Sequence, residues 1–361
     1  MRVLFAPDSF KGTIGSVEAA AALRDGWASV SATDELILMP QADGGEGTLE
    51  VLAACSLGSR WSVATGVHGP DGREVDARWL TLADGRAVIE LAESSGIALM
   101  NRLDPFGAGT SGLGEVILAS GASRVSVALG GSASTDGGLG VLRALGLRVL
   151  DAAGVDVPDG AAGLMAAASV DATELRQPPE DLELLTDTTA VLSGSSGAAH
   201  VFAPQKGASS GDVELLDRAL ARWAELLAAA GLVADPQLPG VGAAGGTAFG
   251  LCAWGAHIAP GAERVSDLTG LAAAIPTADL VITGEGRFDS TSLTGKLVGH
   301  VVELCAKSSV PVAVVAGQVA AETVVRTVSL STLAGGSEAS MADTRRWLVE
   351  AGRLLCVRGM T

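Results

Sequence analysis

The sequence lacks the features that mark membrane-spanning and metal-binding proteins. No apolar run reaches the ~18 residues that a membrane span needs, and residues 1–12 have no long apolar core of a secretory signal. The 4 cysteines include no CxxC pair, and the 4 histidines show no HExxH spacing. These absences argue against a disulfide framework and a zinc site. We therefore expect a cytoplasmic chain without a membrane partner.

Positive charge is scarce. The chain has 24 Lys and Arg against 41 Asp and Glu, a formal net charge of −17. Such a chain repels nucleic acids and anionic membranes, so neither is expected as a partner. A site that handles phosphate must then be a local concentration of donors. The informative residues are the few lysines inside glycine-rich segments, in a chain with 48 glycines.

The two ends of the chain show the same alternation of strands and helices. Apolar runs at 3–6 and 36–39 each lead through a loop into a helical stretch. Near the other end, β-rich runs at 279–283 and 312–316 flank a helix. This pattern is typical of parallel α/β units.

The middle of the chain follows a different pattern. Residues 61–91 alternate polar and apolar and contain the turn sequences GPDG and ADGR, which predicts an antiparallel meander. A length of 361 residues favours two domains. We predict an α/β fold: a Rossmann-like, doubly wound parallel-sheet domain built from both termini (1–60 and 276–361), with an inserted mixed α/β domain at 61–275.

Five glycine-rich segments carry an ionisable side chain, and four of them follow a predicted strand. Ligands of open α/β sheets bind at the carboxyl ends of strands, and glycine lets backbone N–H groups approach a phosphate. The sequence does not predict the local structure of the PQKGA segment. The five segments are PDSFKG (7–12), ADGGEG (42–47), GGSASTDGG (130–138), PQKGA (204–208) and TGEGRFDSTSLTGK (283–296).

The ionisable residues of these segments and of the stretch at 186–192 fit phosphoryl transfer. A lysine beside a glycine can reach phosphate oxygens, and carboxylates can bind Mg²⁺ or orient a hydroxyl group. A structural alternative stays open, because Asp136 and Asp289 fit helix N-caps equally well and Lys296 fits a first helical turn. The candidates are Lys11, Lys206, Lys296, Asp43, Glu46, Asp136, Asp187, Glu285 and Asp289.

Three other motifs do not fit their usual functions. GAGTSG (107–112) has the GxGxxG spacing, but it follows no strand and has no acid about 20 positions on, so a dinucleotide-binding oxidoreductase is disfavoured. The stretch before Lys296 lacks the first glycine of a Walker loop, and Leu297 replaces its Ser or Thr. GGSAS lacks the GxSxG order of a nucleophile elbow.

In order and spacing, the motifs APDSFKG, ADGGEGT, GGSAS-TDGG, VFAPQKGA, GAAGG and TGEG-D-GK resemble the bacterial glycerate kinase family, type 1, over nearly the whole chain. The resemblance implies ATP-dependent phosphorylation of D-glycerate, with Mg²⁺, in a cleft between the two domains. It favours 2-phosphoglycerate over 3-phosphoglycerate as the product, while the residues themselves leave the choice of hydroxyl open. They also leave the oligomeric state open.

On this resemblance, Lys11 and Asp187 are the predicted catalytic residues, and Asp187 orients or deprotonates the attacking hydroxyl. Asp43 and Glu46 are predicted to bind Mg²⁺. Binding of phosphate or substrate is assigned to Asp8, Ser132, Asp136, Lys206, Glu285, Asp289 and Lys296.

The chain departs from the family pattern at several polar positions. In the segment 186–192, Asp187 is kept, but Ala190 and Val191 stand where the family has Asn and Pro. These changes keep an alternative open: a non-catalytic or drifted protein that binds a sugar acid or a nucleotide on the same fold. Further departures are Ser134, Thr135, Thr291 and Ser292.

Overall fold

The computed structural model describes residues 1–293, 296–320 and 325–359. Over these ranges no helix is both long and apolar enough to cross a membrane. The strands are β1 (Arg2–Phe5), β2 (Glu35–Leu38), β3 (Arg60–His68), β4 (Glu74–Thr81), β5 (Ala87–Glu90), β6 (Arg124–Ala128), β7 (Arg148–Leu150), β8 (Ser169–Asp171), β9 (Asp181–Leu185), β10 (His257–Ala259), β11 (Leu280–Phe288), β12 (Val312–Val319) and β13 (Arg326–Ser329). The helices are α1 (Ser16–Ala28), α2 (Thr48–Cys55), α3 (Ala92–Ser95), α4 (Ser111–Ser120), α5 (Leu139–Ala144), α6 (Gly160–Ala166), α7 (Ala198–Phe202), α8 (Ser210–Ala229), α9 (Thr247–Trp254), α10 (Gly261–Thr269), α11 (Leu271–Ala274), α12 (Leu297–Lys307), α13 (Leu330–Ala334), α14 (Ser337–Ala342) and α15 (Thr344–Gly359).

The chain forms two compact units. The first unit contains Met1–Asp43, Glu50–Leu57 and Gly261–Thr361, and the second contains Gly44–Leu49 and Gly58–Pro260. Residues 44–49, 58–60 and 261–275 therefore lie in a different unit from the one that the ranges 1–60 and 61–275 would give them. The domain boundaries drawn from the sequence stay a prediction.

A parallel sheet in the order β13-β12-β11-β1-β2 forms the centre of the first unit. Strand β1 pairs with β11 on one side and with β2 on the other. The strand order therefore reverses between β1 and β11, which is the topological switch point of a doubly wound sheet. The predicted doubly wound sheet built from both ends of the chain is confirmed.

Both faces of this sheet are covered, because successive side chains of β1 point to opposite sides. Val3 and Phe5 pack in the core formed with α1 and α15, whereas Leu4 packs with α10 to α12. Helices α1 and α15 approach closely at a glycine: a Cβ added to Gly26 would lie 1.9 Å from the carbonyl oxygen of Val349. Covered faces leave the carboxyl ends of the strands as the place for ligands.

A mixed sheet in the order β10-β9-β6-β5-β4-β3 forms the centre of the second unit. Strands β5, β6, β9 and β10 are parallel, while β4 runs antiparallel to both of its neighbours, β3 and β5. The predicted meander over 61–91 is therefore confirmed. The second unit is a mixed α/β structure.

A buried ionic network joins three strands of the second unit. Arg86 precedes β5 and is 4% exposed. Its guanidinium donates to Glu183 on β9 at 3.1 Å and to Asp181 at the start of that strand at 2.5 Å. The Ser126 hydroxyl on β6 also donates to Glu183. Because the guanidinium and the two carboxylates compensate one another and the Ser126 hydroxyl adds a hydrogen bond, the network fixes β5, β6 and β9 in one register.

Candidate active site

The switch point of the first unit carries the PDSFKG loop. Asp8 lies three residues after the end of β1, and its backbone N–H donates to the carbonyl of Gly284 at 2.8 Å. The Lys11 ammonium lies 3.5 Å from the carboxylate of Asp43, which follows β2. A predicted phosphate-binding lysine and a predicted metal ligand therefore lie together at the carboxyl ends of two neighbouring strands.

The charges in this group perturb one another. Burial raises the pKa of Asp8 to about 7, and the neighbouring charge of Asp43 adds to the rise. The carboxylate of Asp43 is also the main cause of the raised pKa of Lys11, with Asp8 and Glu285 acting in the same direction. Lys11 therefore keeps its positive charge at neutral pH, surrounded by acids.

Glu285 lies on β11 rather than in a loop after it. The sequence places a strand at 279–283, but β11 extends to Phe288 because β12 pairs with it as far as Phe288↔Val319. Burial raises the pKa of Glu285. Its Oε1 atom is buried and has no hydrogen-bond partner among the described residues.

Asp289 and Lys296 follow β11 and share a partner. The Thr291 hydroxyl donates to Asp289 at 2.7 Å and receives a hydrogen bond from the Lys296 ammonium at 2.8 Å. Asp289 is therefore a turn residue and not an N-cap, because the N-cap of α12 is Lys296 itself. Residues 294 and 295 of the predicted segment 283–296 lie outside the described residues.

In the second unit, the carboxyl ends of the parallel strands are level with one another. Glu90 is paired with Ala128, and Ala128 with Leu185, at the last positions of β5, β6 and β9. The loop 130–138 follows β6, and Asp187 follows β9 by two residues and is half-buried. These predicted site segments therefore lie at one edge of the sheet.

The loop at 44–47 packs against the start of loop 130–138. A Cβ added to Gly130 would lie 2.4 Å from the Cα of Gly45, and the Gly130 N–H donates to the carbonyl of Gly44 at 3.4 Å. The backbone N–H of Leu49 donates to the buried Glu90 carboxylate at 2.8 Å. Only glycines allow this approach, and Glu46 is exposed beside it.

Loop 130–138 contains two predicted site residues, Ser132 and Asp136, and the side chain of Lys206 packs against the loop. Asp136 is fully buried, which raises its pKa, and it accepts from the Thr110 hydroxyl at 2.7 Å. The Asp136 carboxylate also accepts from the N–H groups of Gly138 and Gly140 at 3.1 Å each, at the start of α5. The N-cap of α5 is Gly138, so Asp136 is not the N-cap residue. Its carboxylate instead fixes the turn that leads into the helix, and a phosphate role for Asp136 stays a prediction.

The structure thus forms two groups of predicted site residues, one in each unit. Among the described residues no three His, Cys, Asp or Glu side chains form a ready metal cage. Sequence reasoning missed two participants, Glu90 and Thr110. Glu90 could have been found because it is an acidic residue at the end of the apolar run AVIE. Thr110 lies inside the rejected GAGTSG motif and gave no signal of its own.

Comparisons with known proteins agree with one another. The profile of the Glycerate kinase family matches residues 3–356. The glycerate 2-kinase of Escherichia coli (strain K12) is 37% identical over 329 residues, which cover 88% of this chain and 85% of that protein. The glycerate kinase of Bacillus subtilis (strain 168) is 37% identical over 328 residues, with the same shares.

A crystal structure from Salmonella typhimurium LT2, provisionally named glycerate kinase 2, is 35% identical and superposes with a TM-score of 0.85. The match covers 100% of this chain and 98% of that one. The fold and the matches define an α/β phosphotransferase with an alcohol group as acceptor. The chain belongs to the glycerate kinase family. The family implies ATP as the donor and a small molecule as the acceptor.

Proposed function

We propose that this kinase transfers the γ-phosphoryl group of ATP to the C2 hydroxyl of D-glycerate, giving 2-phosphoglycerate. The observation that carries the proposal is the charged group at the β1/β11 switch point, where the Lys11 ammonium lies 3.5 Å from Asp43. Support for the C2 hydroxyl is the 37% identity to a protein named glycerate 2-kinase.

In the proposed reaction the glycerate hydroxyl oxygen attacks the γ-phosphorus, and the bond from phosphorus to the bridging oxygen of ADP breaks. Asp187 orients the hydroxyl or accepts its proton. Lys11, whose charge the surrounding acids maintain, neutralises the phosphoryl oxygens. Positioning and charge neutralisation supply most of the rate enhancement of such reactions, so no covalent intermediate on the protein is required.

Mg²⁺ is part of the proposal, with Asp43 and Glu46 as its ligands. Two observations support a cation beside the acids of the first unit: the raised pKa of Asp8, to which Asp43 contributes, and the unpartnered buried Oε1 of Glu285. Kinases hold Mg²⁺ with one or two carboxylates and the nucleotide phosphates, so a cage of three protein ligands is not required. The ion would neutralise charge on the phosphates.

Two further sequence predictions belong to this proposal. The first is that both groups of residues act on one substrate in a cleft between the domains, as the resemblance of the motifs to the glycerate kinase family implies. The second is a cytoplasmic location, with which the 4 free cysteines agree. Ala190 and Val191, which depart from the family pattern, keep the rival of a non-catalytic binding protein relevant.

The test is ADP release in a coupled assay with ATP, Mg²⁺ and D-glycerate. We expect turnover that depends on all three, that falls by roughly 100-fold or more in Lys11→Met and that is retained in Lys307→Met, a surface lysine paired with Glu303. Calorimetric binding of ATP or D-glycerate without ADP release would instead support the non-catalytic rival.

A further inference from the structure

Lys206 is placed where a ligand cannot easily reach it. It ends a short 3₁₀ turn, Pro204–Lys206, and Gly207 then reverses the chain with a φ of 96°. The Lys206 side chain is only 3% exposed. Its ammonium group donates to the carbonyl oxygen of Ser134 and lies 3.5 Å from the Ser132 hydroxyl.

Several groups from outside loop 130–138 form hydrogen bonds with its backbone. Near its start, the carbonyl of Gly131 accepts from Ile97 N–H at 2.7 Å. Near its end, the carbonyl of Gly137 accepts from the Trp223 indole at 3.0 Å. Between these points, the Ala133 N–H donates to the carbonyl of Ser95 at 3.0 Å, and the Lys206 ammonium donates to the carbonyl of Ser134.

We propose that Lys206 is a positioning residue: it fixes the Ser132–Ser134 turn of the glycine-rich loop 130–138 and does not itself bind phosphate. This inference rests on the proposed function, in which that loop contacts the phosphate or the substrate. It replaces the sequence-based assignment of Lys206 as a ligand-binding residue. Substrate then meets the outer side of the loop, while the ammonium supports the buried side.

The surroundings of Lys206 make its interaction with the loop sensitive to pH. Burial lowers the pKa of Lys206 to about 7, and the negative charge of Asp136 opposes this change. Among the described residues, Asp136 is the charged group that acts on it, and the hydroxyls of Ser132 and Ser134 are uncharged. Above pH 7 the lysine is a neutral amine, a weaker donor than an ammonium, so the turn is fixed less firmly.

Lysine NMR tests the proposal in the wild-type protein. The sequence contains 4 lysines, so selective ¹³Cε-lysine labelling gives 4 signals, and the spectrum of Lys206→Met assigns one of them. We expect a Lys206 midpoint near 7, below that of Lys11, and no change in the midpoint when Mg²⁺ and ATP are added. A rise of a unit or more with nucleotide would show direct contact with phosphate and overturn the proposal.

Variants provide a second readout. We expect loop 130–138 to exchange amide hydrogens at least tenfold faster in Lys206→Met than in the surface control Lys307→Met. Lys206→Gln, whose amide still donates, should partly restore protection and kcat/KM, after a loss of about 100-fold in Lys206→Met. Equal exchange in all variants, or no advantage of Gln over Met, would contradict a positioning role. These loop measurements do not depend on which substrate is phosphorylated, so they fail separately from the proposed function.

Discussion

The Lys11 ammonium lies 3.5 Å from the carboxylate of Asp43, at the carboxyl ends of β1 and β2. The Lys11 side chain is 78% exposed, and exposed ion pairs typically contribute only about 0–1 kcal/mol to stability. The pair therefore contributes little to the stability of the fold. Its position at the switch point of a doubly wound sheet is where such folds bind ligands, which favours a functional role.

Lys11→Met should reduce kcat/KM by roughly 100- to 1,000-fold, since it removes one preorganised charge that stabilises the transition state. The melting temperature should stay within about 2 °C of wild type, because the removed pair is exposed. Steady-state kinetics and calorimetry check both expectations, with Lys307→Met as the matched control. Near-normal turnover would remove Lys11 from the catalytic residues.

Asp8→Asn should change how stability depends on pH. The folded protein binds the Asp8 proton with a pKa of about 7, whereas the unfolded chain releases it near 3.8. Between these values the folded state holds the extra proton, so the free energy of unfolding falls as the pH rises from about 4 to 7. Asp8→Asn removes this fall, because the amide does not titrate.

Urea denaturation at pH 5 and pH 8, in EDTA, measures the Asp8 effect. The wild-type protein should lose more stability between the two values than Asp8→Asn does. Asp171→Asn is the control, because the pKa of Asp171 is lowered and its carboxylate stays ionised at both values. A parallel pH dependence in wild type and Asp8→Asn would show that Asp8 does not titrate in this range.

Gly130→Ala should separate two glycine-rich loops. The new Cβ would lie 2.4 Å from the Cα of Gly45, so one backbone must shift, at a cost of about 1–3 kcal/mol. The loop at 44–47 would move with it, and KM for ATP should rise. Gly211→Ala is the matched control, since its Cβ meets nothing closer than 3.9 Å. Equal stability of the two variants, by urea denaturation, would refute the close packing.

Arg86→Met should destabilise the protein without a direct effect on catalysis. It leaves the carboxylates of Asp181 and Glu183 without their guanidinium partner, and breaking such a buried network costs about 3–5 kcal/mol. Arg124→Met, which breaks the exposed pair with Asp84, should cost no more than about 1 kcal/mol. Thermal denaturation compares the two. A similar loss in both would mean that the Arg86 network contributes no special stability.

Much of the fold could be predicted because the signals are local. Apolar runs that end in glycine-rich loops predicted the doubly wound sheet, and the turn sequences after Gly69 and Ala83 predicted the meander. The length of β11 could not be predicted in the same way. Gly284 and Gly286 indicate a loop locally, but pairing with β12, about 30 residues further along, extends the strand through them.

The candidate site was predictable in residue type but not in environment. Lys11, Asp43 and Asp187 do lie in loops that follow parallel strands, since such strands end at one edge of a sheet. The burial of Lys206 depends on its contacts with Ser132 and Ser134, more than 70 residues earlier in the chain. A contact between residues so far apart cannot be predicted from a local pattern. For the same reason the sequence did not indicate a role for Glu90, whose partner is the backbone N–H of Leu49.

The most direct test of the account is the identity of the product. The wild-type protein is incubated with ATP, Mg²⁺ and uniformly ¹³C-labelled D-glycerate, and ³¹P and ¹³C NMR spectra are recorded. We predict phosphorus coupling to the C2 carbon and its proton, with ADP formed in equal amount. A phosphoryl group on the C3 hydroxyl oxygen, or unchanged glycerate under conditions where ATP is bound, would contradict the proposed function.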